Sequence, residues 1–119
     1  VEGVRLDPTQ LAKAAVDIAS DKKAFDVVLL DIREITVIAD FFVICSGNNS
    51  RQIQTIADTL KEDLEKQGAS LLHREGNAET GWILLDFADV IIHIFGPQER
   101  EYYRLERLWN EAKTVVYLQ

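Results

Sequence analysis

Asp86 and Asp89 are the acidic pair of this chain best placed to act together. The segment that holds them, Gly81 to Phe95 (GWILLDFADVIIHIF), reads as two strands joined by a turn at Asp86-Phe87-Ala88-Asp89. A nucleotidyl-transfer centre holds two metal ions about 4 Å apart on carboxylates of one strand face. Residues two apart share a strand face, yet no strand-like segment here carries Asp-x-Asp or Asp-x-Glu. The two aspartates meet only across the hairpin end, where the plain reading is a solvated turn. Like charges placed opposite each other cost a few tenths to about 1 kcal/mol, and a basic side chain from a partner would relieve that cost. His93 is the candidate general base, but its expected cross-strand neighbour is Trp82, with no Ser or Cys nucleophile beside it, so a structural role outweighs catalysis. Cys45 lies in the apolar run Phe41 to Cys45 with no cationic neighbour to lower its pKa, and reads as a buried small hydrophobe. One cysteine and two histidines, His73 and His93, make no closed zinc set, although a metal held mainly by carboxylates stays open. The loop Ser46-Gly47-Asn48-Asn49-Ser50 before a helix could cradle a phosphate on backbone N–H groups. It lacks the Lys followed by Ser or Thr of a P-loop, and Arg51 is the one cation nearby, so capping and turn-making explain it without a ligand.

These residues depend on the elements that carry them. With Phe87 and Ala88 as the turn residues, the opposed pairs are Asp86 with Asp89, Leu85 with Val90, Leu84 with Ile91, Ile83 with Ile92 and Trp82 with His93. One face then holds Ile83, Leu85, Val90, Ile92 and Ile94, suited to packing under helices. The other holds Trp82, Leu84, Asp86, Asp89, Ile91, His93 and Phe95, a mixed face suited to water or a partner. Upstream, Asp7-Pro8-Thr9-Gln10 predicts a capped helix start with Gln10 closing a capping box. Leu11, Ala14, Ala15, Ile18 and Ala19 form the apolar stripe of that helix, which should end near Lys22 or Lys23. Phe25 to Ile32 predicts a strand, and the unalternating run Phe41 to Cys45 predicts a central strand covered on both faces. Ile53, Ile56, Ala57, Leu60 and Leu64 mark the buried stripe of a second helix that stops near Gly68. Strand, helix and then a strand at Ser70 to Glu75 imply a right-handed crossover between parallel strands. Pro97 opens a last helix in which Tyr102, Leu105, Leu108, Trp109 and Ala112 share the apolar stripe, with Tyr103 nearer its edge. Arg100, Arg104 and Arg107 read as its solvated face, paired with Glu101, Glu106 or Glu111. Val115 to Leu118 is a short apolar tail, an edge strand or a core cover. The expected fold class is α/β: a five-stranded mixed sheet with helices packed against it, as one domain over residues 1–119.

Composition narrows the function. At 119 residues the chain can bury one core without disulfides or metals. No apolar run approaches the roughly 18 residues of a membrane span, and Val1 to Leu11 shows no apolar signal core, so the expectation is a cytosolic protein or one whose targeting segment is absent from this sequence. The net charge of −7 comes from 20 acidic against 13 basic residues. Nucleic-acid affinity comes mainly from Lys and Arg on phosphates, and no basic run supplies them, so no direct nucleic-acid binding is expected. Charge complementarity favours a basic protein partner instead.

Five blocks then read together: Ile38 to Gly47 (IADFFVICSG), Arg51-Gln52, Gly81 to Asp86 (GWILLD), Val90 to Phe95 (VIIHIF) and Arg100 to Trp109 (REYYRLERLW). In this order they resemble the ribosomal silencing factor family, also called Iojap-related, over about residues 8 to 112. The resemblance implies a mixed α/β fold similar to nucleotidyltransferases but without their catalytic carboxylates. It implies a protein that is no enzyme and carries no cofactor. Such a protein binds large-subunit ribosomal protein fourteen where the small subunit docks, blocks subunit joining, and lowers translation when nutrients are scarce. Members are found in bacteria, mitochondria and chloroplasts, so the implied compartment is the bacterial cytoplasm, or the organellar matrix or stroma. A homodimer using the same surface is a further implication. Alternation on the matched hairpin assigns the contact: Trp82 and Leu84 at its apolar centre, Asp86 and Asp89 facing Lys or Arg of the partner, and Tyr103 and His93 at the rim. The competing reading is a nucleotidyltransferase-like enzyme using the Ser46 to Ser50 loop; a third is an oligomerisation module with no ribosomal role.

Overall fold

A computed structural model describes residues 6–119; the first part of Val1 to Leu11, read above as free of an apolar signal core, lies outside them. Helix α1 (Pro8–Asp21) starts at the expected capping box: the Asp7 carboxylate accepts the Gln10 N–H at 2.8 Å, and the Gln10 amide oxygen accepts the Asp7 N–H at 3.1 Å. Its buried stripe is Leu11, Ala12, Ala15, Val16 and Ala19, turned slightly from the expected one, with Ala14 and Ile18 at the margin. Strand β1 (Phe25–Asp31) leads to β2 (Phe41–Ser46), in which every residue is buried. Helix α2 (Ser50–Lys66) buries Ile53, Ile56, Ala57, Leu60 and Leu64, the stripe expected from its period. Then come β3 (His73–Asn77), β4 (Trp82–Asp86), β5 (Val90–Phe95), α3 (Pro97–Tyr103), α4 (Leu105–Leu108) and β6 (Lys113–Leu118).

The strands form one sheet in the order β3-β4-β5-β2-β1-β6. Among the described residues only β2 and β5 pair in parallel; the other neighbouring pairs are antiparallel. The sheet has six strands rather than the expected five. The sixth pairs with β1 from Asp31↔Lys113 to Val27↔Leu118, covering an edge that would otherwise offer unpaired backbone groups. Its side chains are mostly exposed, so backbone pairing holds it more than burial does, and its alternation signal is correspondingly faint. The crossover through α2 lands on β3, at the far edge, so the parallel neighbour of β2 is β5.

One sheet face packs under α1 and α2, with Val27, Leu29, Val43, Cys45, Ile83, Leu85, Ile92 and Ile94 in its core. The opposite face carries a smaller cluster of Val28, Leu30, Ile32, Phe42, Ile44 and Phe95, against which Trp82, Ile91, Leu105, Trp109 and Ala112 are only partly buried. The C-terminal helix expected from Pro97 to Ala112 is broken at Arg104, which adopts the left-handed conformation at φ 46°. That break folds α4 back, so that Glu106 reaches Arg100. Leu105 and Trp109 still meet the sheet, but Tyr102 is 80% exposed and takes no part in an apolar stripe.

Candidate functional site

The β4–β5 hairpin is paired two residues away from the expected register. Trp82 lies opposite Phe95, Leu84 opposite His93 and Asp86 opposite Ile91. The turn is displaced because Phe87 closes it just beyond the ladder: it is buried and donates its N–H to the Val90 carbonyl at 3.0 Å. Ala88 takes the positive φ, 73°, and the Asp86 carboxylate accepts the Ala88 N–H at 2.8 Å. Asp86 and Asp89 are therefore not cross-strand partners, as the expected register had them. An even slide keeps each side chain on its face, so Ile83, Leu85, Val90, Ile92 and Ile94 all point into the helix-covered core, fully buried. Asp89 sits exposed at the tip, where its carbonyl accepts the N–H groups of Asp40 at 2.7 Å and Phe41 at 3.1 Å.

On the other face Trp82, Leu84 and Asp86 form a half-buried row. The Trp82 ring lies 4.5 Å from Tyr103 and 5.0 Å from Phe95, centroid to centroid. Tyr103 is 41% exposed, so the pair is open to solvent on one side. A groove of about 280 Å³ runs between Glu75, Gly76, Thr80, Trp82, Leu84 and Tyr103. Gly76 adopts φ +82°, and a Cβ there would overlap the Trp82 carbonyl oxygen, so this approach of β3 to β4 requires glycine. Beyond the groove, His73 Nε2 lies 3.3 Å from the Asp86 carboxylate and 3.6 Å from that of Glu75.

His93, expected at the rim, is 5% exposed and lies beneath the row. Its Nδ1 accepts the Trp82 indole N–H at 3.2 Å, which leaves the ring proton on Nε2, an atom with no hydrogen-bond partner among the described residues. Phe42 meets it edge-on at 5.1 Å, and Phe95 stacks at 6.1 Å. Burial pushes its pKa down to about 4, so the ring is neutral at pH 7. It orients Trp82 and is no surface contact. Arg100, expected on a solvated helix face, is also buried. It donates to the Ser46 hydroxyl at 2.8 Å and to the Glu106 carboxylate at 2.9 Å. This clamp fixes α3 to the end of β2 and so holds Tyr103 over Trp82. Arg100 and Tyr103 are three apart and share a helix side; that spacing was the available signal.

In the Ser46 to Ser50 loop the Gly47 and Asn48 N–H groups are bonded within the protein. Gly47 N–H bonds the Phe95 carbonyl at 2.9 Å, and Asn48 N–H bonds the Gln52 side chain at 2.6 Å. Asn49 caps α2 by accepting the Gln52 N–H at 2.9 Å. Gln52 in turn donates to the Lys23 carbonyl at 3.0 Å. Burial pushes the Cys45 thiol up to about 12, which leaves it unreactive in the folded state. Among the described residues no group of three or more His, Cys, Asp and Glu is placed to hold a metal ion, and no helix is long and apolar enough to cross a membrane.

Fold and site together define a small mixed-sheet α/β domain with a half-open aromatic row beside a groove on the sheet face opposite α1 and α2. The profile of the family described as ribosomal silencing factor during starvation matches residues 5–119, and the chain belongs to that family. It is 45% identical over 106 residues to ribosomal silencing factor RsfS of Halalkalibacterium halodurans, covering 89% of this chain and 91% of that one. It is 35% identical over 105 residues to the chloroplastic protein Iojap of Zea mays, covering 88% of this chain and 44% of that longer one. A crystal structure of a Chromobacterium violaceum protein superposes with a TM-score of 0.85 at 26% identity over 93% of this chain and 94% of that one. A second, from Bacillus halodurans, gives 0.74 at 44% identity over 91% and 95%.

Proposed function

We propose that this protein represses translation by binding ribosomal protein fourteen of the large subunit and occupying the surface that the small subunit must reach. The observation that carries this reading is the groove beside Trp82, Leu84 and Tyr103, an aromatic and aliphatic centre left half open on the sheet. Trp and Tyr in such a setting are the residue types that dominate contact energies. Asp86, Asp89 and Glu75 give its surroundings the acidic character that suits a basic ribosomal protein. Membership of the silencing-factor family supports the ribosomal setting. The mechanism is occupancy: no transition state is stabilised, and the effect follows concentration over Kd. Two N–H groups of the Ser46 to Ser50 loop, those of Gly47 and Asn48, are already bonded within the protein, which weighs against the nucleotide-binding alternative.

The test is co-sedimentation with purified bacterial large subunits, followed by addition of small subunits. The unaltered protein is expected to migrate with free large subunits and to reduce joining. Trp82→Ala is expected to lose about 2 kcal/mol of binding, about thirtyfold in Kd. A folded Trp82→Ala variant that binds and blocks joining as before overturns the placement on this face.

A further inference from the structure

We propose that the loop joining β1 to β2 forms a second arm of the docking surface, inserting an apolar knob into a cleft on the same basic partner; this rests on the docking reading above. Val37 is 102% exposed and Ile38 58%, with Ile35 also on the outside. Adjacent exposed aliphatics of this size are uncommon on a surface without a partner. The loop backbone is nevertheless hydrogen-bonded at its base and near its tip. Ile32 N–H bonds the Asp40 carbonyl at 3.0 Å and closes its base, and the Ile32 carbonyl accepts the N–H groups of Ile35 at 3.2 Å and Thr36 at 3.1 Å. The Thr36 hydroxyl accepts the Ile38 N–H at 3.2 Å, so the tip itself is pinned. Three β-branched side chains, stiff at χ1, are thus presented outward with little freedom left to lose on contact.

The loop is joined to the proposed site by the bond from Asp40 N–H to the Asp89 carbonyl, 2.7 Å long, which seats it against the hairpin turn. The charge around it selects the partner. Arg33 is engaged by Asp31 at 2.7 Å and lies over the Phe41 ring, Lys113 also lies beside Asp31, and Glu34, Glu111, Asp40 and Asp89 leave the surroundings net acidic. An apolar knob in an acidic collar suits a basic protein surface with an aliphatic cleft and disfavours an anionic membrane surface.

The experiment compares three proteins in co-sedimentation with purified bacterial large subunits: unaltered, Trp82→Ala, and the double variant Val37→Ser with Ile38→Ser. These two side chains are exposed, so the double variant is expected to melt like the unaltered protein. Its binding is expected to fall tenfold or more, because two aliphatic side chains no longer leave water. If the double variant binds as the unaltered protein does while Trp82→Ala fails, the second arm is wrong and the hairpin reading stands. If the double variant fails while Trp82→Ala binds, the loop proposal stands and the hairpin placement falls. Full binding by both overturns both. If sedimentation equilibrium shows the unaltered chain self-associating and the double variant monomeric, with ribosome binding unchanged, the knob fits a second copy and the proposal is overturned.

Discussion

Stability at mildly acidic pH should be controlled by one buried imidazole. His93 is packed among Phe42, Trp82 and Phe95, and burial alone lowers its pKa from 6.5 to about 4. The unfolded chain takes up the proton near pH 6.5, whereas the folded protein refuses it until about 4. The contribution is therefore fully present above 6.5 and is lost as pH falls toward 4. Each pH unit in that window removes about 1.4 kcal/mol, about 3 kcal/mol in all. The measurement must be a difference between two proteins, so that every other titrating group cancels. His93→Gln serves: its amide oxygen can still accept the Trp82 indole N–H, and it does not titrate. Urea unfolding followed by far-UV circular dichroism between pH 4.5 and 8 should show the unaltered protein losing about 2 to 3 kcal/mol more than His93→Gln across the window. Parallel stability curves for the two would refute the claim that His93 is held neutral inside the fold.

Three further outcomes follow from the same contacts. Arg100→Met should cost about 2 to 4 kcal/mol in chemical denaturation, since it strands the buried Ser46 hydroxyl and the Glu106 carboxylate. Arg100→Lys should recover only part of that. Gly76→Ala should destabilise by more than about 1 kcal/mol and raise amide exchange across β3 and β4, because its φ of +82° and the Trp82 carbonyl leave no room for a Cβ. Asp86→Asn keeps an acceptor for the Ala88 N–H, so thermal stability should change by less than about 0.5 kcal/mol. The same variant should weaken ribosome binding at low salt and differ little from the unaltered protein at high salt, as a screened charge contact requires.

The elements that sequence reasoning reached are those whose signals are local. The cap at Asp7, the stripe of α2 and the buried run of β2 each declare themselves within a few residues. The sorting of β4 and β5 into two faces was legible, whereas their register was not, because a slide of two residues leaves alternation unchanged. Only the burial of Phe87, a tertiary fact, decides between the two turns. Arg104 carries no mark of the left-handed conformation that breaks the last helix, and without that break Arg100 reads as one more surface charge. Of the proposed contact residues, Trp82, Leu84, Asp86 and Tyr103 come together on one side; Asp89 is at the adjoining tip, and His93 supports them from below.

The distribution of indoles gives this fold a built-in optical asymmetry. The chain has two tryptophans, and both lie on the sheet side opposite α1 and α2: Trp82 against His93 and Tyr103, and Trp109 edge-on to Phe42 at 5.0 Å. Intrinsic emission is therefore silent about the helix-covered layer and samples only the aromatic layer. An unlabelled titration would report occupancy of that surface directly, and a ligand seated elsewhere would leave the spectrum nearly unmoved.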